Sequence, residues 1–126
     1  MRIIKYPQST FVIESEGRRI LIDPGSFALE KFRASEFELL EAILITHQHF
    51  DHLKKEAVIS WSKKGIPVFG NFDVAEVLEK EGININKVED RKEFEVAEFK
   101  IRPVDLPHCK MLWCNFCDEL ITGDKV

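Results

Sequence analysis

The stretch Ala42-Ile43-Leu44-Ile45-Thr46-His47-Gln48-His49-Phe50-Asp51-His52 decides how the rest of the chain is read. Its first four residues form a short, uninterrupted apolar run, the pattern of a strand buried on both faces. Three of the four histidines of the 126-residue chain follow within six residues. In an extended or tightly turning loop, side chains at i and i+2 point the same way. His47 and His49 can therefore offer imidazole nitrogens to one metal, while Asp51 and His52, at the start of the next helix, can serve a second one beside it. Imidazole and carboxylate donors suit Zn²⁺, and Mn or Fe where oxygen ligands dominate. A single histidine is usually a packing or surface residue. Three so close together, flanked by Asp and fed by an apolar strand, are hard to explain by packing.

Moving outward from this stretch, the spacing of Leu53, Ala57, Val58 and Trp61 predicts a helix over Leu53 to Lys64. Pro67 to Gly70 reads as a strand. Phe72 to Glu81 reads as a second helix, with Asn71 or Asp73 available as its cap and Gly82 ending it. Upstream, Thr10 to Glu14 and Arg19 to Asp23 read as two strands joined through Glu16-Gly17-Arg18, a connection of hairpin length. Asp23-Pro24-Gly25 stops the second strand, because Pro lacks an N–H and Gly permits a positive φ. Residues 26 to 38 fit either a short helix carrying Phe27, Leu29 and Phe32 or a lid. The remainder reads as strands: Ile83 to Val88, Glu93 to Ala97, Phe99 to Val104, Met111 to Phe116 and Glu119 to Thr122. A mixed sheet with helices packed on it, of the α/β class, accounts for this order better than a bundle or an all-β sandwich. The length fits one domain over 1–126.

Three further residues bear on the site. His108 follows the strand 99 to 104 through Asp105-Leu106-Pro107, and so sits beyond a strand end, where α/β sheets gather their sites. Asp124 ends another short strand beside Gly123. A carboxylate there can approach one metal or bridge two, although Asp after Gly is also a common turn residue. Asp23 fits two roles equally, orienting a ligand imidazole or forming a plain Asp-Pro-Gly turn.

The segment Thr46 to His52 resembles the THxHxDH signature of the metallo-β-lactamase superfamily. The opening, Ser9 to Glu14 followed by Ile20-Leu21-Ile22-Asp23-Pro24-Gly25, is similar to that family's N-terminal hairpin. Pro107-His108 and Thr122-Gly123-Asp124 resemble its later histidine and its Gly-Asp element. The likeness is nearest to the small lactonase-like hydrolases. By this resemblance His47, His49 and His108 hold a first zinc, Asp51 and His52 a second, and Asp124 bridges the two. The implied fold is a four-layer αβ/βα sandwich, of which this chain supplies the N-terminal half, a mixed sheet with helices on one face. Family members continue beyond the Gly-Asp element with further strands and helices and a final metal-binding histidine. No histidine follows His108 here. The expectation is therefore a C-terminally incomplete domain, a half-domain completed by another chain, or a degenerate relative. An uncovered apolar sheet face makes self-association a further expectation.

The implied activity is metal-assisted hydrolysis of an ester, lactone or phosphoester, with Asp51 orienting the water or taking its proton. Two alternatives use the same residues: an inactive or partner-completed fragment, and a di-iron oxidoreductase on the same fold. A third would make His108, Cys109, Cys114 and Cys117 a structural zinc knot. Free buried cysteine is the commoner fate of such residues. The composition, 44% hydrophobic and 32% charged with net charge −4, is that of a folded globular chain. It carries no basic cluster of the kind that binds nucleic acid. No apolar run reaches the ~18 residues of a membrane span, and Met1 to Lys5 shows no signal-peptide core. With three crowded cysteines and no paired framework, a cytoplasmic location is expected. The expected partners are a small-molecule substrate and, beyond that, a second copy or a completing chain.

Overall fold

The computed structural model describes residues 1–31, 34–49, 51–105, 111–114 and 119–121. Among the described residues, ten strands and three α-helices occur in this order: β1 (Arg2–Lys5), β2 (Phe11–Ser15), β3 (Arg18–Ile22), α1 (Ser26–Lys31), a 3-10 turn (Ala34–Phe37), β4 (Ala42–Ile45), α2 (Lys55–Lys63), β5 (Val68–Gly70), α3 (Phe72–Glu79), β6 (Asn86–Lys87), β7 (Phe94–Val96), β8 (Phe99–Ile101), β9 (Met111–Cys114) and β10 (Glu119–Ile121). The first six form one sheet whose spatial order equals their sequence order. β1, β2 and β3 pair antiparallel, whereas β3, β4, β5 and β6 pair parallel. The pairs β7–β8 and β9–β10 are separate two-stranded ribbons.

Local chemistry explains the elements. Glu16 and Gly17, between β2 and β3, both have positive φ (52° and 80°), the requirement of the two-residue turn whose twist matches a hairpin. Asn71 caps α3 by accepting a hydrogen bond from Val74 N–H at 2.9 Å. α2 has no side-chain cap. Its leading residue, Lys54, instead donates its N–H to the Pro24 carbonyl at 2.7 Å. That bond ties the helix start to the end of β3 and places it two residues later than the spacing of Leu53 suggests.

The side chains alternate across the sheet in register. Val12, Leu21, Ile43 and Val68 lie side by side on β2 to β5 and are all buried. They pack with Ala28, Phe37, Leu53, Val58, Val74 and Leu78 from the helical side. Right-handed crossovers between parallel strands added always on the same edge must put every helix on one face. Each large side chain fully removed from water there contributes roughly 1.5–3 kcal/mol. On the opposite face the neighbouring register gives a second apolar row, Phe11, Ile22, Leu44 and Phe69. These four are half-buried, and Phe69 stacks on Phe94 of β7 with ring centres 4.9 Å apart.

The strand β1 was not anticipated, since Arg2-Ile3-Ile4-Lys5 is short and charged at both ends. It forms because β2 offers it a complete antiparallel partner. The strand expected over Ile83 to Val88 shrinks to Asn86–Lys87, because Ile83 turns inward to the helical core instead of extending along the sheet. No helix among the described residues is long and apolar enough to cross a membrane.

Candidate metal centre

Because β3 to β6 are parallel, the segments leaving them emerge at one edge of the sheet, the usual location of sites in such folds. Asp23 leaves β3 there and Thr46 leaves β4 beside it. After Thr46 the chain turns tightly: the N–H groups of His52 and Leu53 both bond the His49 carbonyl at 2.9 Å. This turn folds His52 back over the start of the loop. The rings of His47 and His49 come within 4.0 Å, centre to centre, and those of His47 and His52 within 5.2 Å. His47 is only 5% exposed.

Asp23 organises this loop. It is 3% exposed and adopts φ +50°, a left-handed conformation that Asp tolerates better than most residues. Thr10 holds the turn by donating its hydroxyl to the Asp23 carbonyl at 2.5 Å and accepting the Gly25 N–H at 2.9 Å. The Asp23 carboxylate then accepts the Thr46 N–H and the Thr46 hydroxyl, each at 2.6 Å, and stands 2.9 Å from His52 Nδ1. A carboxylate at Nδ1 favours the proton on that nitrogen and leaves Nε2 as the ligating one. His52 Nε2 lies 3.4 Å from Asp51 Oδ2. Burial by itself lowers the His52 pKa, but the hydrogen bond and charge of Asp23, with the charge of Asp51, raise it above 6.5 on balance. A cation binding at His52 has that proton to displace.

The positive φ expected of the Asp-Pro-Gly turn thus falls on Asp23, not on Gly25. Gly25 serves close approach. A Cβ there would lie 2.9 Å from the Asp51 carbonyl carbon, and nearer still to the Asp51 oxygen and to Gln8 Oε1. Backbone contact between the β3 turn and the histidine loop therefore needs a residue without a side chain. The two roles that sequence left equal for Asp23 turn out to coexist, and Gln8 and Thr10 were not anticipated at all. Their only sequence signal is a polar run before β2.

His47, His49, Asp51 and His52 are brought together on this one loop. Asp51 Oδ1 is a buried carboxylate oxygen with no hydrogen-bond partner among the described residues. Such an atom is costly unless a cation or proton faces it. Three clustered imidazoles and an unsatisfied carboxylate fit a divalent transition metal. Among the described residues no three of these donors converge on a single point. His108, Asp124 and the side chains of Cys109, Cys114 and Cys117 lie outside the described residues.

Removing the Asp23 carboxylate isolates the Thr46 N–H and frees His52 to rotate. The variant Asp23→Ala is expected to bind zinc about 10- to 100-fold more weakly, the usual cost of losing a ligand's orienting partner. Asp23→Asn should fall between the two. Competition against a chromophoric chelator measures this, and an affinity equal to the parent's would refute the orienting role.

Residues 18–116 match the family described as Beta-lactamase superfamily domain. A UPF0173 metal-dependent hydrolase of Aeropyrum pernix is 33% identical over 81 residues, which span 64% of this chain and 34% of that protein. The fold also superimposes on Igni18, a metallo hydrolase of Ignicoccus hospitalis, with TM-score 0.67 at 21% identity, covering 84% of this chain and 48% of the other. The metallo-beta-lactamase IND-7 gives TM-score 0.55 at 13% identity, over 78% of this chain and 50% of its own. The chain thus spans about a third of the Aeropyrum relative and about half of each structural neighbour. With the signature histidines on the loop after β4 and the family match running from β3 into the last ribbon, the chain belongs to the beta-lactamase superfamily.

Proposed function

We propose that the protein is a metal-dependent hydrolase of ester, lactone or phosphoester substrates, with zinc as its metal. The observation that carries this reading is the histidine loop: the His47 ring lies 4.0 Å from that of His49 and 5.2 Å from that of His52, beside a buried Asp51 oxygen with no hydrogen-bond partner among the described residues. His47 and His49 would hold one metal and His52 with Asp51 a second. His108 and Asp124 enter as the remaining ligands on the sequence resemblance. The relatives named metal-dependent hydrolases support the same assignment.

A divalent metal, when bound, supplies Lewis acidity that makes hydroxide available near neutral pH. The protein's part is placement. Asp23 holds His52 by Nδ1 and Thr46 by two bonds, so the loop keeps its shape without reorganising during the reaction. Asp51 can take the proton released by attacking water.

Plasma mass spectrometry of the purified protein, with sedimentation for its oligomeric state, is the direct test. About two metals per chain are expected, with hydrolysis of p-nitrophenyl esters or bis-p-nitrophenyl phosphate that a chelator abolishes and zinc restores. Hydrolysis that persists after complete metal removal would overturn the proposal.

A further inference from the structure

Within the histidine loop, Asp51 is supported differently from its neighbours. His52 is held at Nδ1 by Asp23, and Thr46 is held by two bonds to the same carboxylate. No such bond holds Asp51 among the described residues. Its Oδ1 is buried without a hydrogen-bond partner, and the contact of its Oδ2 is His52 Nε2 at 3.4 Å. A carboxylate that serves a metal must nevertheless stand within about 0.5 Å of its place. What places this one is the packing of its backbone. The Asp51 carbonyl lies so close to Gly25 that a Cβ there would overlap it.

Gly25 is braced in turn by the connection between β1 and β2. Thr10 Oγ1 accepts its N–H at 2.9 Å. The Gln8 amide oxygen crowds the same point as the Asp51 carbonyl, the position that a Cβ of Gly25 would take. That oxygen is pinned. It accepts the Phe27 N–H at 2.9 Å, one of the donors that the first turn of α1 leaves without a helical partner. The backbone behind it is fixed as well. Gln8 adopts φ +62°, a left-handed conformation uncommon for Gln. The Lys5 ammonium bonds the Tyr6 carbonyl and, at 2.6 Å, the Gln8 carbonyl. The Tyr6 N–H closes the turn on the Thr10 carbonyl at 2.9 Å. Such a backbone persists only where its surroundings over-determine it, and residues of this kind gather at functional sites.

From this arrangement we infer that Gln8 is a positioning residue of the candidate metal centre. Its side chain, pinned between α1 and Gly25, keeps the Gly25 peptide pressed on the Asp51 backbone and so sets where the Asp51 carboxylate stands. This role rests on the hydrolase reading, in which Asp51 serves the second metal and takes the proton of the attacking water. Gln8 acts through Gly25 and not by contact with a metal. The support that hydrogen bonds give to His52 thus comes to Asp51 by packing, from a turn some forty residues earlier in the chain.

Two readouts on the full chain test this. In zinc titrations against a chromophoric chelator, Gln8→Ala should weaken the second equivalent about 10-fold, as lost outer-shell support does, and leave the first near the parent's value. Gln8→Glu keeps an acceptor of the same reach for the Phe27 N–H and should restore the second affinity. Hydrogen exchange of the metal-free proteins reads the same brace without zinc. In Gln8→Ala the amides of His52, Leu53 and Lys54, which tie the loop to His49 and Pro24, should exchange about 10-fold faster. The Ile43 amide of β4, bonded to the Pro67 carbonyl, should keep the parent's rate. Parent-like zinc affinity in Gln8→Ala, equal weakening of both equivalents, or no rescue by Gln8→Glu would overturn the inference. If the parent takes up no zinc, the hydrolase reading fails, and exchange still decides the role of Gln8. Acceleration confined to the loop upholds the brace, whereas unchanged rates, or loop and strand accelerated alike, refute it.

Discussion

Alanine in place of His47 is expected to abolish metal uptake and hydrolysis together while leaving a folded protein. His47 is the common neighbour of the cluster, with His49 and His52 both packed against its ring. It is also the most deeply placed donor, directly after β4. Its loss removes a ligand outright, so the fall in affinity should exceed the ~10- to 100-fold typical of losing an orienting partner. The sheet core on the other side of β4, centred on Ile43 and Val68, is untouched. Metal-free variant and metal-free parent should then differ in stability by only about 1–3 kcal/mol, a buried-truncation cost. Metal analysis, an ester assay and thermal unfolding of both proteins check this. A His47→Ala protein that keeps its metal would remove the residue from the ligand set.

The second large effect is expected at Gly25. A methyl group there must displace the Asp51 peptide, because the nearest atoms are its carbonyl oxygen and carbon together with Gln8 Oε1. Gly25 cannot retreat. Its N–H is held by Thr10 Oγ1 at 2.9 Å and its carbonyl by Leu29 N–H at 3.2 Å. Forced overpacking costs about 1–3 kcal/mol and occasionally more; with backbone as the obstacle the upper end is expected, and here the strain falls on the loop that carries Asp51 and His52. Gly25→Ala should lose stability in denaturant and bind metal poorly. Gly17→Ala is the internal control. Its backbone is left-handed, yet a Cβ there meets nothing within 4 Å, so only about 1 kcal/mol of conformational cost is expected. Equal destabilisation by the two substitutions would show that the contact at Gly25 is not tight.

The comparison of these two glycines also shows where sequence reading stops. Ala42 to Ile45 was legible as a strand to the residue, because an unbroken apolar run bounded by polar residues admits little else. The loop from Thr46 to His52 was legible as a candidate site because its imidazole and carboxylate groups lie within seven consecutive positions. Asp23 was legible only as one of two options, since its role depends on Thr46 and His52 being brought 23 and 29 residues back to it. Gln8 and Gly25 act through the close approach of the Gln8 amide oxygen and the Asp51 backbone to Gly25, which no local pattern encodes. β1 and the shortened β6 were misjudged for a related reason. Edge strands take their existence and length from the neighbour they pair with, not from their own propensity.

A sheet whose strands stand in the order in which they are made has a consequence for how the protein acquires its shape. Each strand finds its partner in the one just before it, so no pairing within this sheet waits for a segment made much later. During synthesis from the N-terminus, β4 docks on β3 while everything later is still to come. All the hydrogen-bonding partners described for the Asp23 carboxylate and for the turn around it lie between Thr10 and Lys54. The bonds that shape the histidine loop are therefore available once little more than two-fifths of the chain has been made, and the helices and strands that follow are laid against a loop already folded.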